Sequence, residues 1–184
     1  MMSLSRSMHV VGLLAGVSSL AACGLMAPSG AVKMPTAVQA ATHLSARSNT
    51  KVSGTVELRQ EGAHVVVKTL VTGLNPNGLH GFHIHETGDC NSPDASTAGG
   101  HFNPTGKPHG PQDAAHHAGD MPMLKADMFG RAEAEFHLTD VTLLDGPNSV
   151  IGRSIIVHRD PDDFKTQPTG NSGARVACGV IQRL

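Results

Sequence analysis

Two histidines separated by one residue, His83 and His85, are well placed to bind a metal ion. They lie in residues 79–86, where apolar and polar side chains alternate, and this alternation predicts a β-strand. Side chains two apart on a strand point to the same face, roughly 6.5–7 Å apart, so both imidazoles can reach one ion while Phe82 and Ile84 enter the core. Imidazole is a good ligand for copper, zinc, iron and nickel. Taken alone, the same stretch also fits two surface histidines on an exposed strand face.

More candidate ligands lie in the long segment 87–120, which shows almost no strand pattern. An irregular stretch of this length inside a compact domain is uncommon unless it serves a function. Three ring nitrogens and one carboxylate oxygen fit a tetrahedral zinc site. The segment supplies such groups from His101, His109, His116, His117 and Asp120. A further histidine, His158, ends an apolar strand predicted at residues 153–158 and is able to join His83 and His85.

The composition of the chain excludes some classes of protein. Its 184 residues are enough for one domain with appendages, and its formal net charge is −1. A charge this close to zero argues against a nucleic-acid-binding protein, which would carry a basic face. The chain has no Trp and no Tyr, which argues against a surface that stacks on bases or sugars. Twelve histidines against three cysteines is an unusual ratio.

The predicted fold class is all-β: an eight-stranded Greek-key β-sandwich or flattened barrel with two long functional loops. We expect the loops at residues 87–120 and 159–173, and no helix longer than a turn or two. The strand at 132–138 is expected to pair with the one at 123–126 across residues 128–130. The eight strands are predicted at residues 38–44, 52–58, 65–71, 79–86, 123–126, 132–138, 153–158 and 176–181.

The N-terminus is predicted to be a targeting segment. Arg6 precedes an apolar stretch at residues 10–20 that is too short to span a bilayer as a finished helix. The residues that follow, Leu20-Ala21-Ala22-Cys23, resemble a bacterial lipoprotein processing site. We therefore expect a signal peptide at 1–22, a tether at 23–36 that carries lipid on Cys23, and a folded domain at 37–184. The alternative is an ordinary signal peptide that is cleaved after a later small-residue site near residues 38–40.

Both alternatives place the domain outside the cytoplasm, where disulfides persist. We expect a periplasmic or cell-envelope location with the lipid on Cys23 as a membrane anchor. If Cys23 is lipidated, Cys90 and Cys178 remain as an even pair. A bridge between them would close a long loop and contribute at most about 4–5 kcal/mol by the chain-entropy estimate. Two free buried thiols are the alternative.

Five motifs, in this order along the chain, resemble those of the copper/zinc superoxide dismutases, and the resemblance runs from about residue 38 to the C-terminus. They are Gly81-Phe82-His83-Ile84-His85-Glu86, Gly100-His101-Phe102-Asn103-Pro104, His117-Ala118-Gly119-Asp120, Ile151-Gly152-Arg153-Ser154-Ile155-Ile156-Val157-His158, and Gly170-Asn171-Ser172-Gly173-Ala174-Arg175-Val176-Ala177-Cys178-Gly179-Val180-Ile181.

The resemblance implies a catalyst that converts superoxide to dioxygen and hydrogen peroxide with copper and zinc. It implies that His101 bridges the two metals, and that Arg175 attracts the substrate. It further implies a hydrogen-bonding role for Asp162 and a disulfide between Cys90 and Cys178. The implied copper ligands are His83, His85, His101 and His158, and the implied zinc ligands are His101, His109, His117 and Asp120. His116 competes with His117 as a ligand, and the His-x-Gly-Asp match favours His117.

Some features depart from the common family pattern. Pro168 stands where the family often has a lysine, so steering of the substrate over long range is in question. Cys90 follows His85 by five residues, a spacing that favours a bacterial extracytoplasmic branch. A homodimer is left open, because subunit contacts differ between branches.

Three rival functions need different residues. A copper-delivery protein on this fold would lack part of the copper set or Arg175. A copper-only dismutase would lack the zinc ligands, and a zinc hydrolase would need one open zinc site and a general base.

Overall fold

β-Strands form nearly all the regular structure in the computed structural model, which describes residues 37–184. The predictions for the signal peptide, the tether and Cys23 fall on residues 1–36 and lie outside the described part. In residues 37–184 the only helical element is a short 3₁₀ turn at Ser96–Ala98, so none of the described helices is long and apolar enough to cross a membrane. The all-β fold class is therefore confirmed.

Ten strands are present in the described residues, two more than predicted, because one predicted strand is divided and a short one closes the chain. They are β1 (Gln39–Ala46), β2 (Ser53–Glu61), β3 (His64–Thr72), β4 (Leu79–His80), β5 (Phe82–His85), β6 (Leu124–Lys125), β7 (Ala132–Leu138), β8 (Ser154–His158), β9 (Arg175–Val180) and β10 (Gln182–Arg183).

Eight of these strands form one curled antiparallel sheet in the order β5-β8-β9-β1-β2-β3-β7, with β10 paired to β1. The neighbours β1 and β9, and β3 and β7, are distant in sequence, which is typical of a Greek-key arrangement. β1 turns the corner of the sheet: its residues 39–44 pair with β2, and its last two residues pair with β9. This corner places β5 and β8 across the core from β2, β3 and β7.

The predicted pairing between strands 123–126 and 132–138 is wrong. β6 pairs with β4, in the register Leu79↔Lys125, and β7 pairs with β3 along its whole length. β3 has nine residues against two for β6, so it offers β7 a longer ladder of backbone hydrogen bonds.

The predicted strand at 79–86 is broken at Gly81. The amide of Gly81 donates to the carbonyl oxygen of Asp160, and its own carbonyl accepts from the amide of His158. A side chain at this position would meet Ser172 Oγ at 2.7 Å. Gly81 therefore lets the backbone pass from the β4–β6 pair into the main sheet.

The core fills the space inside the curled sheet. Val56 and Leu58 of β2 point inward, and Phe82 and Ile84 of β5 approach from the opposite side; all four are almost fully buried. Phe82 packs edge-on against Phe136 of β7, with ring centroids 6.2 Å apart. Each buried side chain of this size contributes about 1.5–3 kcal/mol. The core therefore fixes β5, whose remaining two residues are the histidines of the site.

Candidate metal centre

Strands β5 and β8 hold three histidines on the face of the sheet that points away from the core. Antiparallel pairing sets His83 opposite Ile156 and His85 opposite Ser154. His158 lies one step further along β8, opposite Gly81, so it shares that face with His83 and His85. The three rings are 0–4% exposed rather than solvated, because the long loops cover them. The exposed-strand interpretation of these histidines is therefore wrong.

A fourth histidine, His101, reaches the same place from the long loop through an isolated bridge to His85. One ring nitrogen from each of His83, His85, His101 and His158 lies within 4.8 Å of the others. The Nε2 atoms of His85 and His158 are 3.4 Å apart. Their Nδ1 atoms donate to the carbonyl oxygens of Gly99 and Gly173, at 3.0 and 3.3 Å. Both Nε2 atoms therefore offer lone pairs toward one point.

A second group of ligating atoms is built mainly by the loop. Ligating atoms of His101, His109, His117 and Asp120 also lie within 4.8 Å of one another, and all four residues are buried. Asp120 anchors this group: Oδ1 is 2.8 Å from His101 Nδ1, and Oδ2 accepts from the backbone amide of His117 at 2.9 Å. Oδ2 is also 3.0 Å from His109 Nδ1. The three residues from this loop that were predicted to join His101 around one zinc ion lie together.

His101 belongs to both groups. Its Nδ1 faces Asp120, whereas its Nε2 is buried without a hydrogen-bond partner beside His83, whose ring centroid is 4.0 Å away. One imidazole thus presents its two nitrogens to two different ligand sets. Such a ring can bridge two metal ions.

Asp162 joins the two groups from the second loop. Its Oδ2 accepts from His83 Nε2 at 2.7 Å, and its Oδ1 accepts from His109 Nε2 at 2.9 Å. These bonds leave Nδ1 of each ring as the nitrogen that faces its ligand group. His83 Nδ1 is buried with no hydrogen-bond partner, and His109 Nδ1 faces Asp120 Oδ2. Carboxylates in this position orient metal-binding histidines and increase their basicity.

Gly170 makes room for this carboxylate. Its φ of +64° lies in the left-handed region, and a Cβ there would collide with Asp162 Oδ1 and would stand 2.5 Å from His109 Nε2. Only glycine fits without moving one of these two side chains.

Burial controls protonation in the first group. It lowers the pKa of His83 to about 4, against the raising effect of the hydrogen bond to Asp162. Burial also lowers the pKa values of His85 and His158 well below the ordinary 6.5. These rings are neutral at pH 7, and a neutral ring is the form that binds a metal.

Carboxylates control protonation in the second group. Burial acts to lower the pKa of His109, but the hydrogen bonds and charges of Asp120 and Asp162 outweigh it and raise the pKa to about 9. Burial acts to raise the pKa of both carboxyl groups, and the bonds from the histidines nevertheless hold them below their usual range. The second group therefore attracts a cation, either a proton on His109 or a metal ion.

The donor sets fit the metals that the sequence implies. Buried ring nitrogens of His83 and His101 have no partner, and those of His109 and His117 face the carboxylate of Asp120; both arrangements have a physical explanation if a cation binds there. Four imidazoles suit copper, and three imidazoles with one carboxylate suit zinc.

Comparison with known proteins identifies the family. The profile of the family described as copper/zinc superoxide dismutase matches residues 52–181. This chain belongs to the copper/zinc superoxide dismutase family. A superoxide dismutase [Cu-Zn] of Cordyceps militaris is 44% identical over 144 residues, which are 73% of this chain and 92% of the relative. Superoxide dismutase [Cu-Zn] 2 of Brassica juncea is 46% identical over 143 residues, or 73% and 91%.

Solved structures agree with the family assignment. A SOD-like protein from Bacillus subtilis superposes with a TM-score of 0.70 at 34% identity, over 76% of this chain and 96% of that protein. A double mutant of a SOD-like protein from the same organism also gives 0.70, at 37% identity over 77% and 96%. The curled all-β architecture is thus shared with both.

The disulfide implied by family resemblance is present. Cys90 and Cys178 are bonded, with Cα atoms 5.8 Å apart across a sequence separation of 88 residues. The bond ties the segment after β5 to β9. Arg175, on β9, then holds that segment through two hydrogen bonds of 2.7 Å, to the carbonyl oxygens of Ala95 and Gly99.

The adjacent histidines His116 and His117 occupy different positions. His117 lies in the second group, whereas His116 points away from it. The Nδ1 atom of His116 donates to the carbonyl oxygen of Ala114 at 2.7 Å, and its Nε2 is 3.3 Å from Asp140 Oδ2. His116 thus contacts the connection after β7 and is absent from either ligand group in the described chain.

Two glutamines that hold ligand-bearing backbone in this dismutase fold were missed from the sequence. Gln167 accepts from the amide of His109 and donates to its carbonyl oxygen, both at 2.8 Å. Gln112 donates to the carbonyl oxygen of Asp120.

His80 was missed as well. It is buried and donates from Nδ1 to the carbonyl oxygen of His158 at 2.9 Å. No ligand spacing marks these three residues, because each one bonds to a main-chain group, which any residue type supplies.

Proposed function

We propose that this chain dismutes superoxide, with copper held by His83, His85, His101 and His158 and zinc held by His101, His109, His117 and Asp120. The observation that carries the proposal is that two four-ligand groups share one imidazole. The family match supports the same activity and the same two cofactors. Copper, when bound, supplies the one-electron couple that oxidises one superoxide to dioxygen and reduces another to hydrogen peroxide, whereas zinc contributes charge without redox chemistry.

Arg175 is the residue that we assign to substrate attraction. Burial lowers the pKa of its guanidinium, yet an arginine remains charged in a protein. Its hydrogen bonds to Ala95 and Gly99 fix its orientation, and Gly99 also accepts from the copper-side His85. A fixed cation beside the ligand group attracts and orients a small anion.

An open groove leads to this arginine. It is lined by Ser48, Asp94, Ser96, Gly173, Ala174 and Arg175. Since the ligand histidines themselves are buried, we propose the groove as the route by which superoxide reaches the site.

His101 is the residue that we assign to proton transfer. Its Nε2 is buried, carries no hydrogen bond and lies on the copper side, while Nδ1 is held at Asp120. A proton on Nε2 would be within the site at the place where hydrogen peroxide must form. Dismutation consumes two protons, and His101 would hold one of them.

The proposed activity is tested by metal content and by an assay of superoxide consumption. We expect one copper and one zinc per chain and activity that a copper chelator removes. Zinc alone, with no activity after copper loading, would refute the proposal.

We propose further that the protein belongs to a bacterial extracytoplasmic branch and is anchored in the cell envelope. Support comes from the apolar stretch at 10–20, the processing-like sequence ending at Cys23 and the spacing between His85 and Cys90. A Cys90–Cys178 disulfide is in keeping with an oxidising compartment. In this proposal residues 1–22 are removed, 23–36 form the lipidated tether and 37–184 form the catalytic domain.

The anchor is tested by cell fractionation of the Cys23→Ala variant, with Ser29→Ala as a control in the same tether. We expect the first variant to leave the membrane fraction and the second to stay there. If Cys23→Ala stays on the membrane, the lipid anchor is refuted. Cleavage near residues 38–40 would show as a mature chain that lacks the tether.

A further inference from the structure

Two histidines and a glutamate lie near one another on the outward face of the sheet formed by β2, β3 and β7. Glu61 is the last residue of β2, His64 is the first of β3, and His137 lies near the end of β7. Glu61 and His64 flank the turn between β2 and β3, three residues apart, and the pairing of β3 with β7 brings His137 to them from a distant part of the chain. The two ligand groups of the catalytic site come instead from β5, β8 and the long loops.

The register of the sheet explains why these side chains meet. Glu61 is directly opposite His64 in the β2–β3 pair. His137 is opposite Val66 in the β3–β7 pair, and Val66 shares a face with His64, two residues earlier. Diagonal neighbours of this kind are within reach of long and aromatic side chains. His64 therefore lies between a carboxylate and a second imidazole.

The observed contacts match that expectation. His64 Nε2 is 3.5 Å from Glu61 Oε2. The rings of His64 and His137 have centroids 4.9 Å apart, with their planes inclined by 30°. The side chains of His64 and Glu61 are 36% and 34% exposed, so an ion in solution can reach them and the side chains can rotate toward it. Glu61 also pairs with Arg59, which makes the carboxylate the weaker ligand of the three.

We propose that His64 and His137, with Glu61 as an auxiliary ligand, bind a divalent transition-metal ion such as Zn²⁺ or Cu²⁺ on this face. Two imidazoles prefer these ions to Mg²⁺ or Ca²⁺, which take oxygen ligands. Three ligands leave coordination positions to water, as in exchangeable rather than structural sites. The site holds metal outside the catalytic centre and is independent of dismutation.

The test uses the copper- and zinc-loaded protein, titrated with Zn²⁺ by equilibrium dialysis and metal analysis. The wild-type protein takes up one further zinc per chain, and His137→Gln loses this uptake. The control His43→Gln, which removes another exposed strand histidine, retains it. Dismutase activity shows that each variant is folded. Absence of further uptake by the wild-type protein, or equal uptake by His137→Gln, would overturn the proposal.

A second measurement needs no variant. Diethylpyrocarbonate modifies accessible imidazoles, and peptide mass analysis reports the extent at each histidine. Zn²⁺ added to the loaded wild-type protein protects His64 and His137 but leaves His43 as reactive as before. Equal modification of His64 and His137 with and without Zn²⁺ would overturn the site.

Discussion

The two ligand groups differ in what holds them. Three of the four copper-side histidines lie on β5 and β8, whose alternate side chains pack in the core. The zinc-side ligands lie on the loop and are held by hydrogen bonds that involve Asp120, Asp162 and Gln167. The copper-side ligands are thus held in place by the packed strands of the barrel, whereas the positions of the zinc-side ligands depend on a network of polar contacts. Substitutions in β5 and β8 should therefore reduce the copper-dependent redox activity. Substitutions in the loops should first weaken zinc binding.

The largest effect is expected from a change on the strand side. His158→Gln removes one of the four copper-side nitrogens but leaves the core and the zinc side intact, so superoxide dismutation should fall to the background of the metal-free protein. Zinc content should remain at the wild-type level. Metal analysis and a superoxide assay on one preparation check both parts; loss of zinc together with activity would show that the two sides are not separable.

Acid should destabilise the metal-free protein, because a buried copper-side histidine is neutral when folded but takes up a proton when unfolded. His83 has a pKa of about 4 when folded and an ordinary value of 6.5 when unfolded, so the unfolded chain binds more protons between these limits. Stability is therefore lost as the pH falls from 6.5 to 4, by about 3 kcal/mol from this fully buried ring alone.

The zinc-side groups do not cancel this loss. His109, whose pKa is raised to about 9, contributes stability that is complete below pH 6.5 and is lost only as the pH rises through 9. The depressed pKa values of Asp120 and Asp162 add a further loss only below their ordinary value of 3.8, outside this range. Urea unfolding across this pH range checks the prediction. Unchanged stability between pH 6.5 and 4 would mean that His83 is not buried as a neutral ring.

Gly170→Ala should damage the loop side. The new Cβ collides with Asp162 and approaches His109. Loss of a residue that hydrogen-bonds to a metal ligand lowers metal affinity roughly 10–100-fold, and we expect the decrease in zinc affinity here to be near the upper end of that range. Gly152→Ala is a matched control, because its φ of +78° is similar but its Cβ would meet nothing within 4 Å. Competition with a chromogenic zinc chelator measures both. Equal losses in the two variants would indicate backbone strain and not the collision.

Gln167→Ala should have the smallest of these effects. It removes both hydrogen bonds to the backbone of His109 but no ligand, so we expect about a tenfold loss of zinc affinity and little change in copper content. Lys165→Ala is the control on the same loop, since no contact from its side chain to the ligands is present. A wild-type zinc affinity in Gln167→Ala would show that Asp120 and Asp162 suffice to place His109.

The contrast between strands and loops also explains how much could be predicted from the sequence. Alternation around Phe82 and Ile84 predicted that His83 and His85 share a face, because the strand period is fixed by backbone geometry. The break at Gly81 and the pairing of β6 with β4 could not be predicted, since both depend on neighbours distant in the sequence. Residue types supplied the candidate ligands in the loop, where periodicity carries no information, and the family motifs assigned them to the two metals.

Contacts to the main chain were the least predictable part of the site. Gln167 and His80 bond to backbone groups of His109 and His158, and any residue type supplies such groups. The meeting of His64 with His137 was missed for a related reason, because the register between β3 and β7 decides it.

The copper-side and zinc-side ligand groups are expected to form one catalytic site that consumes many superoxide anions in succession. The most direct measurement is the product balance when a large excess of superoxide is given to protein loaded with copper and zinc. Our account predicts repeated turnover, with one dioxygen and one hydrogen peroxide formed for every two superoxide anions consumed, and loss of turnover when copper is removed. Consumption that stops after one superoxide per copper, or a rate unchanged by copper removal, would contradict it.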